Sequence, residues 1–128
     1  MSDLRRGPRR DEARRRSVLV ARLSGAGDRA LRDVLAGLEE EGVPADVEPA
    51  EGPLAACAHA AAGRAALRVG VALGPAEACV HAVALPADAP LLHRRDPDAD
   101  ALRRLGQDAA RLVKTVPLTL SPDDRSPR

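Results

Sequence analysis

Two periods of apolar residues alternate along the chain and divide it into eight elements. Ser17 to Leu23 (SVLVARL) is apolar, β-branched at Val18 and Val20, and reads as a first strand. Ser24-Gly25-Ala26-Gly27 turns the chain, and Asp28 stands where a helix cap belongs. Leu31, Val34, Leu35 and Leu38 then fall at i, i+3, i+4 and i+7, which predicts a helix to about Glu41 with one buried stripe. Gly42 suits the position just past its last turn, and Pro44 prevents continuation. Ala45 to Glu48 reads as a short second strand. Pro53 opens a second helix to about Ala62, closed by Gly63, with Leu54, Cys57, Ala58 and Ala61 inside. In Ala66 to Leu73 (ALRVGVAL), Leu67, Val69, Val71 and Leu73 alternate with Arg68, Gly70 and Ala72, the clearest strand of the chain. Ala78 to Leu85 (ACVHAVAL) reads as another. Residues 86–97 read as a loop rich in Pro and Asp. Asp96 is expected to cap a last helix with Pro97 at its first position and Leu102, Leu105, Ala109, Leu112 and Val113 on its core side. Lys114 to Leu118 (KTVPL) reads as a closing strand, which Pro117 assigns to an edge.

Only Gly74-Pro75-Ala76-Glu77 separates the third and fourth strands. A parallel crossover takes about a dozen residues or more, so this pair must be antiparallel. The element order predicts an α/β fold with a mixed, mostly parallel sheet of about five strands and helices on its faces. The length of 128 residues supports one domain, expected over 17–120. A basic arm over 1–16, expected to be disordered, precedes it, and a polar tail over 121–128 follows.

Composition narrows the function. The chain has no Trp, Tyr or Phe and no Ile, so Ala, Leu and Val supply nearly all of its apolar fraction. Small side chains favour close approach of helices to a sheet. They exclude an aromatic platform for single-stranded nucleic acid and an aromatic cage for a cation. The formal charge of +1 hides an asymmetry: residues 1–16 carry seven Arg against Asp3, Asp11 and Glu12. The remainder is mildly acidic, and the arm reads either as a solvated terminus or as a contact for nucleic acid or acidic surfaces, the solvated terminus being the preferred reading. Cys57 and Cys79 form no disulfide framework, and no apolar run reaches the roughly 20 residues of a membrane span. The expectation is a cytoplasmic protein with reduced thiols and with neither nucleic acid nor membrane as partner.

Three groups of residues suggest chemistry. Gly25, Gly27 and Ala30 follow a strand and open a helix in the form of a dinucleotide fingerprint. Asp28 opposes it, because its charge occupies the place of a pyrophosphate. Cys57-x-His59 and Cys79-x-His81 look like paired ligands. Residues two apart share a face on a strand but diverge on a helix, and zinc spacing is not met. His93 falls in the loop without an evident partner. The third group is Glu39-Glu40-Glu41, three carboxylates at the negative end of the first helix dipole. On a wheel centred on Leu31, Glu40 lies about 180° from the core stripe, with Glu39 and Glu41 about 100° to either side of it. Glu40 is thus expected to point outward, and removing its charge is expected to leave the free chain as stable or slightly more so. The triplet reads as a solvated face or as a site for a cation or basic patch on another chain.

Leu38-Glu-Glu-Glu-Gly-Val-Pro44 occurs together with Leu67-Arg-Val-Gly-Val71, Leu85-Pro-Ala-Asp-Ala-Pro-Leu91 and Ala110-Arg-Leu-Val-Lys-Thr-Val-Pro-Leu118. In this order and spacing, over about residues 31–118, the set resembles the small subunits of diol/glycerol dehydratase reactivating factors. The resemblance implies a three-layer α/β/α domain whose fourth strand is antiparallel. It implies a non-catalytic subunit of a chaperone-like, ATP-dependent complex that frees adenosylcobalamin-dependent dehydratase of damaged cobalamin by subunit exchange. ATP and ADP would be bound by the large ATPase subunit, not by this chain, and the dehydratase would be a transient partner. One carboxylate to a shared Mg²⁺ would come from Glu40. The alternative is a cobalamin-associated, medium-type subunit of the dehydratase itself. A free-standing nucleotide-binding enzyme rests on the Gly25 turn alone.

Overall fold

A computed structural model of the protein describes residues 17–115. Within them the chain forms β1 (Val18–Leu23), α1 (Asp28–Glu40), β2 (Ala45–Ala50) and α2 (Leu54–Arg64), then β3 (Val69–Leu73), β4 (Glu77–Ala82), β5 (Leu92–Arg95) and α3 (Ala99–Thr115). The basic arm and the polar tail expected from the sequence lie outside these residues.

The strands form one sheet in the order β2-β1-β3-β4-β5. β2 and β3 run parallel to β1 on its two sides. β4 is antiparallel to β3, and β5 is antiparallel to β4, so the fourth strand alone is reversed. Helices α1 and α3 cover one face and α2 the other, which is the expected three-layer α/β/α arrangement. Alternation along the strands builds the two faces. Val18 and Val20, with Val69, Val71 and Val80, face α1 and α3, whereas Ala21, Ala72 and Cys79 face α2.

Without aromatic or Ile side chains, the layers close up by losing side chains rather than by interdigitating large ones. Gly37 of α1 and Gly106 of α3 sit at the crossing of the two helices. A Cβ on Gly37 would lie 2.0 Å from the Arg103 carbonyl oxygen, and one on Gly106 would lie 2.2 Å from that of Val34. On the opposite face a Cβ on Gly70 would lie 2.4 Å from the Ala58 carbonyl oxygen, so α2 rests on the sheet backbone itself.

The fifth strand corrects the sequence reading. Lys114 and Thr115, expected to begin a closing strand, form the last turn of α3, and Val116 to Leu118 lie outside the described residues. The edge strand comes instead from Leu92–Arg95, in the segment read as a loop. Only Leu92 of its four residues packs on the core, so no alternation announced it. Its place is held by backbone bonds, Leu91 N–H to the Val80 carbonyl at 2.9 Å and Asp96 N–H to that of Ala76 at 2.7 Å. Among the described residues β5 is the outermost strand on its side, and exposed Arg94 and Arg95 suit that position, where charge opposes further strand addition.

Several boundaries also shift. α3 is capped by Asp98, whose Oδ1 accepts the Ala101 N–H at 2.8 Å, and not by Asp96, which turns out of β5 with φ +45°. α1 is capped by Gly27, with Asp28 as its first residue, and α2 runs through Gly63 to Arg64. β4 ends at Ala82, because the chain leaves the sheet before Leu85. No helix among the described residues is long and apolar enough to cross a membrane.

Candidate functional site

The acidic triplet closes α1 at the seam with α3. Gly42, at φ +75°, takes the left-handed position expected of it, and the N–H groups of Gly42 and Val43 donate to the carbonyls of Glu39 (2.9 Å) and Leu38 (3.0 Å). The Gly37–Gly106 crossing brings α3 alongside this end. Glu40 Oε2 accepts a close charged hydrogen bond from Arg103 Nη2, and its Oε1 accepts from Gln107 Nε2 at 2.7 Å. Glu41 Oε1 accepts from Lys114 Nζ at 3.1 Å, and Arg111 Nη2 lies 3.6 Å from its Oε2. Glu39 is exposed and makes no such bond among the described residues.

Glu40 and Glu41 therefore have internal partners: Glu40 is exposed, as the helix wheel expects, but it is paired across the seam rather than left to solvent. The wheel measured burial against the sheet alone. Gly37 extends the buried arc of α1 to about 120° from Leu31 on the α3 side, and Glu40 lies only about 60° beyond it. The missed signal was the pair of mid-helix glycines, each unfavourable in a helix by about 1 kcal/mol unless something needs the space. The Arg103 guanidinium, and then the Gln107 amide, hold the Glu40 carboxyl below the usual carboxylate range, and Glu40 in turn raises Arg103.

As a metal ligand Glu40 fits one role only. No group of three or more His, Cys, Asp or Glu among the described residues could hold a metal ion. The Glu40 side chain is 34% exposed, and each carboxylate oxygen keeps a second lone pair beyond its present donor. It can supply one oxygen to a cation held mainly by another chain.

The other candidates are filled by the chain's own groups. At the Gly25 turn, φ is +90° and a Cβ would lie 3.3 Å from Cβ of Pro75. Arg22 reaches across, donating to the Ala26 carbonyl at 2.8 Å and to Asp28 Oδ1 at 2.6 Å. That contact draws the Asp28 carboxyl below its usual range. The helix start thus already carries an anion with its counter-charge.

The two Cys-x-His segments meet more closely than their spacing indicated, because α2 lies over β4. The rings of His59 and His81 stand edge to face with centroids 4.7 Å apart, and Cys57 and Cys79 share the α2-side core. Each has a partner. Nδ1 of buried His81 accepts the Ala82 N–H at 3.0 Å, and its Nε2 lies 3.1 Å from the Ala87 carbonyl. His59 Nε2 lies 3.4 Å from the Val83 carbonyl. The two rings tie the β4–β5 connection to α2 and β4. Cys57 donates to the Glu51 carbonyl at 3.4 Å, and burial pushes the Cys79 thiol up to about 12. His93, read as partnerless, lies on β5 with Nε2 2.6 Å from Glu77 Oε1.

Comparison with known proteins agrees with the fold. The dehydratase medium subunit family matches residues 17–119. The diol dehydratase-reactivating factor small subunit of Klebsiella michiganensis is 40% identical over 106 residues, covering 79% of this chain and 82% of that protein. The propanediol dehydratase-reactivating factor small subunit of Salmonella typhimurium is 42% identical over 90 residues, covering 66% and 75%. A solved structure of diol dehydratase-reactivating factor complexed with ADP and Mg²⁺ superposes with a TM-score of 0.72 at 37% identity, covering 81% of this chain and 97% of that one. A glycerol dehydratase reactivase gives 0.73 at 35% identity, covering 81% and 96%. With sequence and topology in agreement, the chain belongs to the dehydratase medium subunit family and, within it, stands with the small subunits of the dehydratase-reactivating factors.

Proposed function

We propose that this chain is the small subunit of a dehydratase-reactivating factor and carries no catalysis of its own. The observation that supports this most is the match to named reactivating-factor small subunits over 82% of the length of one of them, with the same sheet topology. In this reading a large partner subunit binds and hydrolyses ATP. This chain, which is of the medium-subunit type, exchanges with the corresponding subunit of a diol or glycerol dehydratase, and damaged cobalamin leaves the loosened enzyme. The compartment is the cytoplasm.

Glu40 is the residue proposed to reach a Mg²⁺ ion shared with the large subunit. A dication there would supply an electrostatic tether between the two chains, with Glu40 as this chain's oxygen ligand. This chain's part is to present one carboxylate at a fixed place, which the α1–α3 seam does. The likeness to a factor complexed with ADP and Mg²⁺ supports a cation in such an assembly.

The test combines purified large subunit, this chain and inactivated dehydratase with ATP and Mg²⁺. Release of damaged cobalamin should need both subunits, and this chain alone should release no phosphate from ATP. The family description favours a second reading, a medium-type subunit of the dehydratase itself. Stable co-purification with the dehydratase large subunit, and no stimulation of reactivation, would decide for it. Glu40→Gln should weaken assembly with the large subunit and reduce its Mg²⁺ dependence. An unchanged Mg²⁺ dependence would remove Glu40 from the metal.

A further inference from the structure

Both oxygens of Glu40 are engaged within the chain, and the two donors differ in the property that matters to a cation. Arg103, on Oε2, is permanently charged, whereas Gln107, on Oε1, is neutral. They lie one turn apart on α3 and reach Glu40 only because Gly37 and Gly106 let the helices touch. A dication approaching the carboxylate meets a guanidinium already seated there, and like charges at such range repel. Arg103 is half exposed and also feels Asp100 and Asp33, so acidic company remains for it once it leaves Glu40. Gln107 can stay on Oε1 while Oε2 turns to an ion, as hydrogen-bonded outer groups orient ligating carboxylates generally.

We propose that Arg103 is a latch competing with the cation for Glu40, and that Gln107 is a positioning residue that keeps the carboxylate aimed. In the free subunit Arg103 neutralises Glu40 and suppresses its capture of stray cations. On assembly it swings toward Asp100 and Asp33. The inference rests on the reading of Glu40 as a ligand to a shared cation. It adds that two substitutions one turn apart on the same helix act with opposite sign.

The test measures the MgCl₂ concentration for half-maximal assembly of the full chain with the large subunit, by sedimentation or calorimetry. Arg103→Gln should lower that midpoint about two- to fivefold, the range of an exposed ion pair removed. Gln107→Ala should raise it about twofold while leaving the extent of assembly at saturating Mg²⁺ unchanged, a split that loss of structure does not produce. In a Glu40→Gln background the Arg103→Gln effect should vanish. If Glu40→Gln leaves the midpoint at the wild-type value, the reading of Glu40 fails and the latch with it. If Glu40→Gln shifts the midpoint but Arg103→Gln leaves it unchanged or raises it, the latch alone is overturned. A shift from Arg103→Gln that persists without the Glu40 charge likewise overturns it.

Discussion

On one face of the sheet α1 and α3 lie side by side over Val18, Val20, Val69 and Val71. On the other, α2 lies alone over Ala21, Ala72 and Cys79. Both faces reach close packing through glycine, at Gly37 and Gly106 on the first and at Gly70 on the second. They differ in what stands at the rim. The two-helix face has a seam, and across it Glu40 meets Arg103 and Gln107, and Glu41 meets Lys114. The single helix has no seam, and Arg64, paired with Glu48, is its only charged residue. Polar chemistry therefore gathers where two helices meet edge to edge, while the α2 face is held by small apolar contacts and by bonds from Cys and His to backbone carbonyls.

The sharpest way to break this comparison is at the crossings. Gly37→Ala should destabilise the protein by about 3 kcal/mol or more, because the new methyl meets the Arg103 carbonyl and only separation of the helices relieves it. Thermal or urea unfolding measures it, and the Glu40–Arg103 contact should be lost in the same variant. Gly70→Ala should cost about 2 kcal/mol by lifting α2 from β3. It should leave the charged seam intact. If the faces are independent, the two losses add within about 0.5 kcal/mol; strong non-additivity would show that the sheet transmits strain between them.

Alkaline pH separates the faces chemically. The Cys79 thiol is raised to about 12 from an ordinary value of 9.0 by burial. The unfolded chain ionises first, so this contribution is complete below about pH 9 and is lost as pH climbs toward 12. Stability should therefore fall in that window, and Cys79→Ala should flatten the fall. Alkylation of Cys79 by iodoacetamide at pH 8 should require unfolding, as expected of a thiol without solvent access.

The smallest effect belongs to the seam in the free subunit. The Glu40 carboxyl is held below its ordinary value of 4.5 by Arg103, so the pair supports the fold above that pH and is lost as pH falls through and below it. Glu40→Gln should make the free chain slightly less stable at neutral pH, the reverse of what a helix-dipole argument alone gives. Between pH 7 and pH 3 wild type should lose more stability than the variant. Melting curves of the two across that range check it. Equal pH dependence would mean that the contact contributes nothing in solution.

Much of this molecule was legible before any coordinates. A β-branched apolar run located β1 and a period-two run located β3, and the period of α1 was plain from Leu31 to Leu38. The four-residue turn at 74–77 required the reversed fourth strand, since no parallel crossover fits that length. Ordered segments from Leu38 to Leu118 carried the family resemblance, which the comparisons uphold. Glu40 was singled out first by the dipole rule it breaks and then by that resemblance.

What tertiary structure alone decided is of a different kind. β5 is four residues long with one apolar side chain, and backbone pairing to β4 makes it a strand where local pattern cannot. Lys114 and Thr115 follow the helix rather than the strand that their local sequence suggested. The partners of Glu40 lie 63 and 67 residues away. Periodicity along a helix reports that a position is buried or exposed, but carries no record of which helix lies beside it. That record was held jointly by Gly37 and Gly106, whose missing side chains gain meaning only when the two helices are laid against each other.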